Sequence, residues 1–178
     1  MNHYAVPVFY GHGVNKDLSG CYFGPGQYRI PEFPFRDLNG QSCDTTWIRG
    51  KFSVISVSDT LDFDPESRVN SNILRVLDDV PYPEAVTAIS IGIIRGKDST
   101  PGNDSLKPGR EEFITGSRDE VFRFAKCGLI LPRDSIFSRL VLVDPEGRIR
   151  GYYDKNRFDE FERLSVELKI LLNEEFKL

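Results

Sequence analysis

The chain has 178 residues, 39% of them apolar and 28% charged, and its 23 Lys and Arg against 27 Asp and Glu leave a net charge of −4. That apolar share, with 13 Phe, excludes a wholly disordered chain, and the length suits one domain or one domain with an arm. The two signs of charge interleave without a basic stripe, which argues against nucleic acid as a partner.

The longest apolar stretches, Ala85 to Ile94 and Leu140 to Val143, fall short of the ~20 residues a spanning helix needs, so the chain itself is not expected to insert in a membrane. The first 30 residues hold Gly, Pro, Tyr and His where a secretory signal would have a basic end and an apolar run, so no signal is visible. Residues 1–27 read as an irregular arm packed on the domain by its aromatic rings, and residues 28–178 as the domain. Phe33 and Phe35 precede Asn39-Gly40, a strong hairpin signal, and a second short strand returns through Ser42 to Thr46. Lys51 to Ser58, rich in Val, Ile and Phe, reads as a central strand.

Asp64-Pro65-Glu66 supplies a cap acceptor, a first-turn proline and a first-turn acid, which predicts a helix start. Val69, Ile73, Val76, Leu77 and Val80 line one face of that helix, and Pro81 with Pro83 ends it. Glu84 to Ile94 returns as a buried strand, and residues 95–110 read as a long loop. Ser117-Arg118-Asp119-Glu120 matches a capping box before a short helix carrying Val121, Phe122, Phe124 and Ala125. Phe137 to Val143 is a strand, Asp144-Pro145-Glu146-Gly147 a turn, and Arg148 to Tyr153 the antiparallel partner. Phe158, Phe161, Leu164, Leu168, Leu171 and Leu172 mark a closing amphipathic helix. The fold class is α/β: a thioredoxin-like mixed sheet flanked by helices, with an extra hairpin at its amino-terminal end.

The run Leu140-Val141-Leu142-Val143-Asp144-Pro145-Glu146-Gly147-Arg148-Ile149-Arg150-Gly151-Tyr152-Tyr153-Asp154 closely resembles the Sco/SenC family of thioredoxin-like copper proteins. Ile30-Pro31-Glu32-Phe33 with Asn39-Gly40 is similar to that family's opening hairpin, and Gly50-Lys51 to the start of its first central strand. Ser90-Ile91 with Lys97-Asp98-Ser99-Thr100-Pro101 is similar to a segment reading Ser-x-Asp-Pro-x-x-Asp-Thr-Pro in relatives, and Phe113-Ile114-Thr115-Gly116 to the Thr-Gly element before the next helix. The resemblance spans about residues 28–172, with a deletion near 102–110. It implies a periplasmic or membrane-tethered protein that carries copper or reduces thiols for cytochrome oxidase assembly. That role rests on a Cys-x-x-x-Cys pair after the first central strand and a distant His, a donor set whose sulfur and imidazole suit copper.

This chain departs at all three positions. The loop reads Ser58-Asp59-Thr60-Leu61-Asp62-Phe63-Asp64-Pro65-Glu66-Ser67, no cysteine occurs from Asp44 to Lys126, and no histidine follows His12. At the place of the family histidine stands Asp134-Ser135-Ile136-Phe137. The expectation is a non-catalytic Sco/SenC-like accessory or binding protein of the cell envelope that has lost copper(I) and dithiol chemistry and meets another protein through its surface, with no cofactor.

Two alternatives stay open. One is a metal carrier with a rebuilt site. Asp59, Asp62, Asp64 and Glu66 offer carboxylates to a hard cation, against their reading as a solvated loop and helix cap, and Met1-Asn2-His3 offers nitrogens to copper(II) or nickel(II). The other is a single-cysteine redox protein using Cys43 or Cys127. The three cysteines, Cys21, Cys43 and Cys127, stand 22 and 84 residues apart, which fits neither a disulfide framework nor a zinc ribbon. They read as three isolated residues, with one pair plus a leftover thiol as the alternative.

Overall fold

The structure is a computed structural model that describes residues 5–9, 20–21, 28–44, 46, 48–59, 68–93 and 110–177. Its first hairpin joins β1 (Phe35–Asp37) to β2 (Ser42–Cys43) around Asn39-Gly40. The Asp37 carboxylate accepts from the backbone N–H of Asn39 at 2.9 Å and of Gln41 at 2.8 Å, and Gly40 supplies the positive φ of 80° that closes the turn.

β3 (Phe52–Ser58) is buried along almost its whole length. Its even positions, Phe52 and Val54, enter one core and its odd positions, Ile55 and Val57, enter the other. It pairs in parallel with β4 (Val86–Ile93) and antiparallel with β6 (Arg139–Val143). β5 (Glu111–Gly116) lies parallel to β4, and β7 (Ile149–Asp154) antiparallel to β6, giving the order β2-β1-β5-β4-β3-β6-β7.

α1 (Arg68–Asp78) makes the crossover between the parallel strands β3 and β4 and buries Ile73, Val76 and Leu77. α3 (Phe158–Glu175) packs on the same face through Phe161, Leu164, Leu168, Leu171 and Leu172. α2 (Arg118–Arg123) covers the other face and runs into a π-helical turn, Phe124–Gly128. The expected capping box is present, with the Ser117 hydroxyl accepting from the Glu120 N–H at 3.3 Å and the Glu120 carboxylate from the Ser117 N–H at 2.8 Å. The mixed, two-faced thioredoxin-like architecture expected from the order of elements is the one observed.

Several local readings change: the second hairpin strand, read through Thr46, ends at Cys43, and the strand read from Phe137 begins at Arg139. β5 was not expected, because it opens on two glutamates and leaves a short apolar run. It is a strand because β4 and β1 hydrogen-bond to it on both sides. The strand expected from Glu84 begins at Val86, since Pro83–Ala85 form a 3-10 turn that withholds a proline from the ladder. The expected helix start at Asp64-Pro65-Glu66 and residues 95–109 of the expected loop lie outside the described residues.

The described arm residues 5–9 lie against β7. The Arg150 guanidinium donates to the Val6 carbonyl at 2.8 Å and the Pro7 carbonyl at 3.0 Å, and the Phe9 ring meets Tyr152 edge-on at 5.2 Å. Asp144, 1% exposed, begins the β6–β7 turn and is compensated by Arg148 at 2.6 Å and Arg150 at 3.2 Å. Among the described residues, no helix is long and apolar enough to cross a membrane.

Phe33, Phe35 and Phe124 form a ring cluster with centroids 5.0 to 5.2 Å apart, and Gly116 lies directly against it. A Cβ at Gly116 would sit 2.6 Å from the Phe35 ring. Gly116→Ala is therefore expected to destabilise the fold by ~1–3 kcal/mol through overpacking, read as a lower urea midpoint. An unchanged midpoint would contradict this close approach.

Candidate functional site

In a parallel α/β sheet the carboxyl ends of the strands open toward the crossover connections, and that is where ligands are usually bound. Here the end of β3 presents Ser56, Val57, Ser58 and Asp59, met by side chains from both sides of the sheet. Lys155, in the turn after β7, donates from Nζ to the Ser56 hydroxyl at 3.0 Å and to the Val57 carbonyl at 2.8 Å. Burial disfavours its ammonium and lowers its pKa from 10.5 to about 8.

On the α2 side, Arg118 forms an ion pair with Asp59 at 3.6 Å and places its guanidinium 5.0 Å from the centre of the Phe122 ring. Both partners of that ion pair are largely exposed, so it contributes little to stability. Arg118 also belongs to the wall of a cleft of about 870 Å³ between α2 with its π-helical turn and the segment 131–136. Asp134 and Ile136, which the sequence resemblance sets at the place of a histidine, line the same cleft.

Cys127 lines it too, and is bonded to Cys21 across a sequence separation of 106. The reading of three isolated cysteines is therefore corrected: Cys21 and Cys127 form the pair and Cys43 is the leftover thiol. The reason is tertiary. The π-helical turn brings Cys127 to the place where the arm crosses, with their Cα atoms 5.3 Å apart. Tyr28, the first residue of the expected domain, donates from its hydroxyl to the Cys127 and Gly128 carbonyls at 2.6 and 2.9 Å. Cys127 is thus not a free thiol for single-cysteine chemistry. Cys43 is buried in β2, and burial together with the nearby Asp37 and Glu112 charges pushes its thiol up to about 11.

Of the sequence-predicted acidic residues, Asp59 is placed at the end of β3 beside Arg118. Asp62, Asp64, Glu66, His3 and His12 lie outside the described residues. Among the described residues, no three His, Cys, Asp or Glu side chains come together as metal ligands. Sequence reading missed Lys155, since Asp154-Lys155-Asn156 looks like an ordinary polar turn. It also missed the disulfide partner of Cys127, which no local pattern announces.

Lys155 makes stability pH-dependent. Below about pH 8 the ammonium is charged in both the folded and the unfolded chain, and the fold carries its desolvation cost. As pH rises from 8 toward 10.5 the folded chain gives up this proton before the unfolded chain does, so stability rises. Cys43 acts in the opposite sense from about pH 9, because the folded thiol holds its proton to about 11. Between about pH 8 and 9 the Lys155 rise outweighs the onset of the Cys43 effect, with an expected net gain of ~0.5–1 kcal/mol in urea unfolding. Lys155→Met should flatten that window, and a variant that keeps the full rise would contradict the assignment.

No family model matches the chain, and no curated protein matches it by sequence. Solved structures share its fold. Arabidopsis thaliana ScoI with copper bound gives a TM-score of 0.60 at 17% identity, over 80% of this chain and 99% of that one. BsSco, a member of the Sco family of cytochrome c oxidase assembly proteins in which a disulfide switch has been identified, gives 0.58 at 16% identity, over 80% and 94%. The thioredoxin domain of a thiol-disulfide oxidoreductase from Bacteroides vulgatus gives 0.55 at 15% identity, over 79% and 96%. The resemblance read from the run Leu140 to Asp154 thus extends to the fold: this chain has the thioredoxin-like fold of the Sco structures.

Proposed function

We propose that this chain is a Sco/SenC-like accessory protein of the cell envelope. It acts by binding a protein partner and has given up copper(I) and dithiol chemistry at the end of β3. One observation carries this reading: the strand end that would lead into a thiol pair holds hydroxyls, a carboxylate and an ammonium, while every cysteine of the chain is placed elsewhere.

Copper(I) is a soft ion whose protein ligands are thiolate, thioether and imidazole. Serine hydroxyls and a carboxylate are poor donors for it, and the Lys155 ammonium adds an opposing charge. The residues described at this end therefore do not fit copper(I).

Cys43 lies on the far edge of the sheet, four strands from β3, which is roughly 19 Å at the usual strand spacing. Cys21 and Cys127 are spent on each other. A disulfide between them supports the envelope assignment, since such bonds persist in oxidising compartments and are rare in reducing ones.

Titration of the purified, oxidised protein against a chromogenic copper(I) chelator tests the reading. The chelator is expected to keep its copper at equimolar protein. Stoichiometric transfer to the protein would contradict it.

A further inference from the structure

The cleft beside the disulfide has a composition that the chain's overall charge does not suggest. Arg118, Arg123, Lys126 and Arg133 stand on its lining against two acids, Asp119 and Asp134, so it is locally cationic on a chain of net −4. Phe122, Leu131 and Ile136 add apolar groups to the lining, and the Phe122 ring is braced edge-on by Phe137 at 5.6 Å.

The walls are held before any ligand arrives. One is the capped helix α2, on which Arg118 is stacked over Phe122. Another is the π-helical turn, fixed by the Cys21–Cys127 bond and by the Tyr28 hydroxyl on two of its carbonyls. Tyr152, from β7, donates to the next carbonyl in line, Leu129, at 2.9 Å. A preformed wall lowers the ordering cost that binding would otherwise pay.

A cleft of about 870 Å³ is far larger than one carboxylate or phosphate needs and lies in the range of sites that enclose a sizeable ligand. Guanidinium groups on the lining select carboxylates, and the apolar groups beside them, Phe122 foremost, select a ring or an aliphatic side chain. We infer that this cleft docks an acidic, aromatic-bearing segment of a protein partner. The inference rests on the binding role proposed above and specifies the chemistry of the partner.

The test uses fluorescence anisotropy of the full-length, oxidised protein with a labelled short peptide rich in Glu and Asp with interspersed Phe. A control peptide carries Lys in place of the acids. The acidic peptide is expected to bind and to weaken as salt rises, and the Lys peptide is not expected to bind. The Arg118→Ala, Arg133→Ala double variant, with its fold verified by circular dichroism, should bind about tenfold more weakly.

No binding of the acidic peptide, equal binding by the double variant, or displacement by inorganic phosphate at equimolar peptide would each overturn the docking site. Copper(I) titration of the same samples separates the two readings. Failed docking with copper left on the chelator overturns this inference alone, whereas copper uptake overturns the function on which it rests.

Discussion

A single strand sets the terms for the rest of the molecule. β3 is hydrogen-bonded along both edges, by β4 and by β6, and covered on both faces, so its position and direction leave little freedom. Period-two alternation then decides which groups can meet at its carboxyl end. Ser56 continues the Phe52 and Val54 face, toward α1 and α3, and takes the Lys155 ammonium. Asp59, just past the strand, pairs with Arg118 on the α2 side. The end of β3 is thus reached by two cations from different elements, Lys155 on one face and Arg118, paired with Asp59, on the other.

The same architecture explains where sulfur is used. In a thioredoxin-like fold with a thiol pair after the first central strand, sulfur serves chemistry. Here it serves covalent structure, joining the arm to a π-helical turn at the edge of the α2 cleft, with the remaining thiol sealed under the first hairpin. A cross-link closing a loop of this length restricts the unfolded chain strongly in the loop-entropy picture. It also fixes one wall of the cationic cleft beside α2. The disulfide thus stands beside the cleft on the α2 side, away from the end of β3.

The parts legible in the sequence were those governed by local rules. The Asn39-Gly40 hairpin, the β3 run, the capping box at Ser117 and Glu120, the Asp144 turn and the apolar stripe of α3 each depend on neighbours within a few residues. β5 was hidden because its identity comes from pairing with β1 and β4, while its own residues begin with Glu111 and Glu112. Lys155 was hidden because burial of an ammonium is a tertiary property of a polar turn. The Cys21–Cys127 bond was hidden because it joins residues 106 apart, a pairing that no local pattern announces. The candidate site was therefore readable as a set of absences, no Cys and no His at the expected places, and its positive features required the three-dimensional structure.

The central claim is that the thiols of this chain build its structure and are not available to a soft metal. Mass-spectrometric peptide mapping of native protein, alkylated without reduction, tests it most directly. The account predicts a linked pair of peptides containing Cys21 and Cys127, with Cys43 unmodified until the protein is unfolded. Alkylation of both Cys21 and Cys127 in the native protein would contradict it.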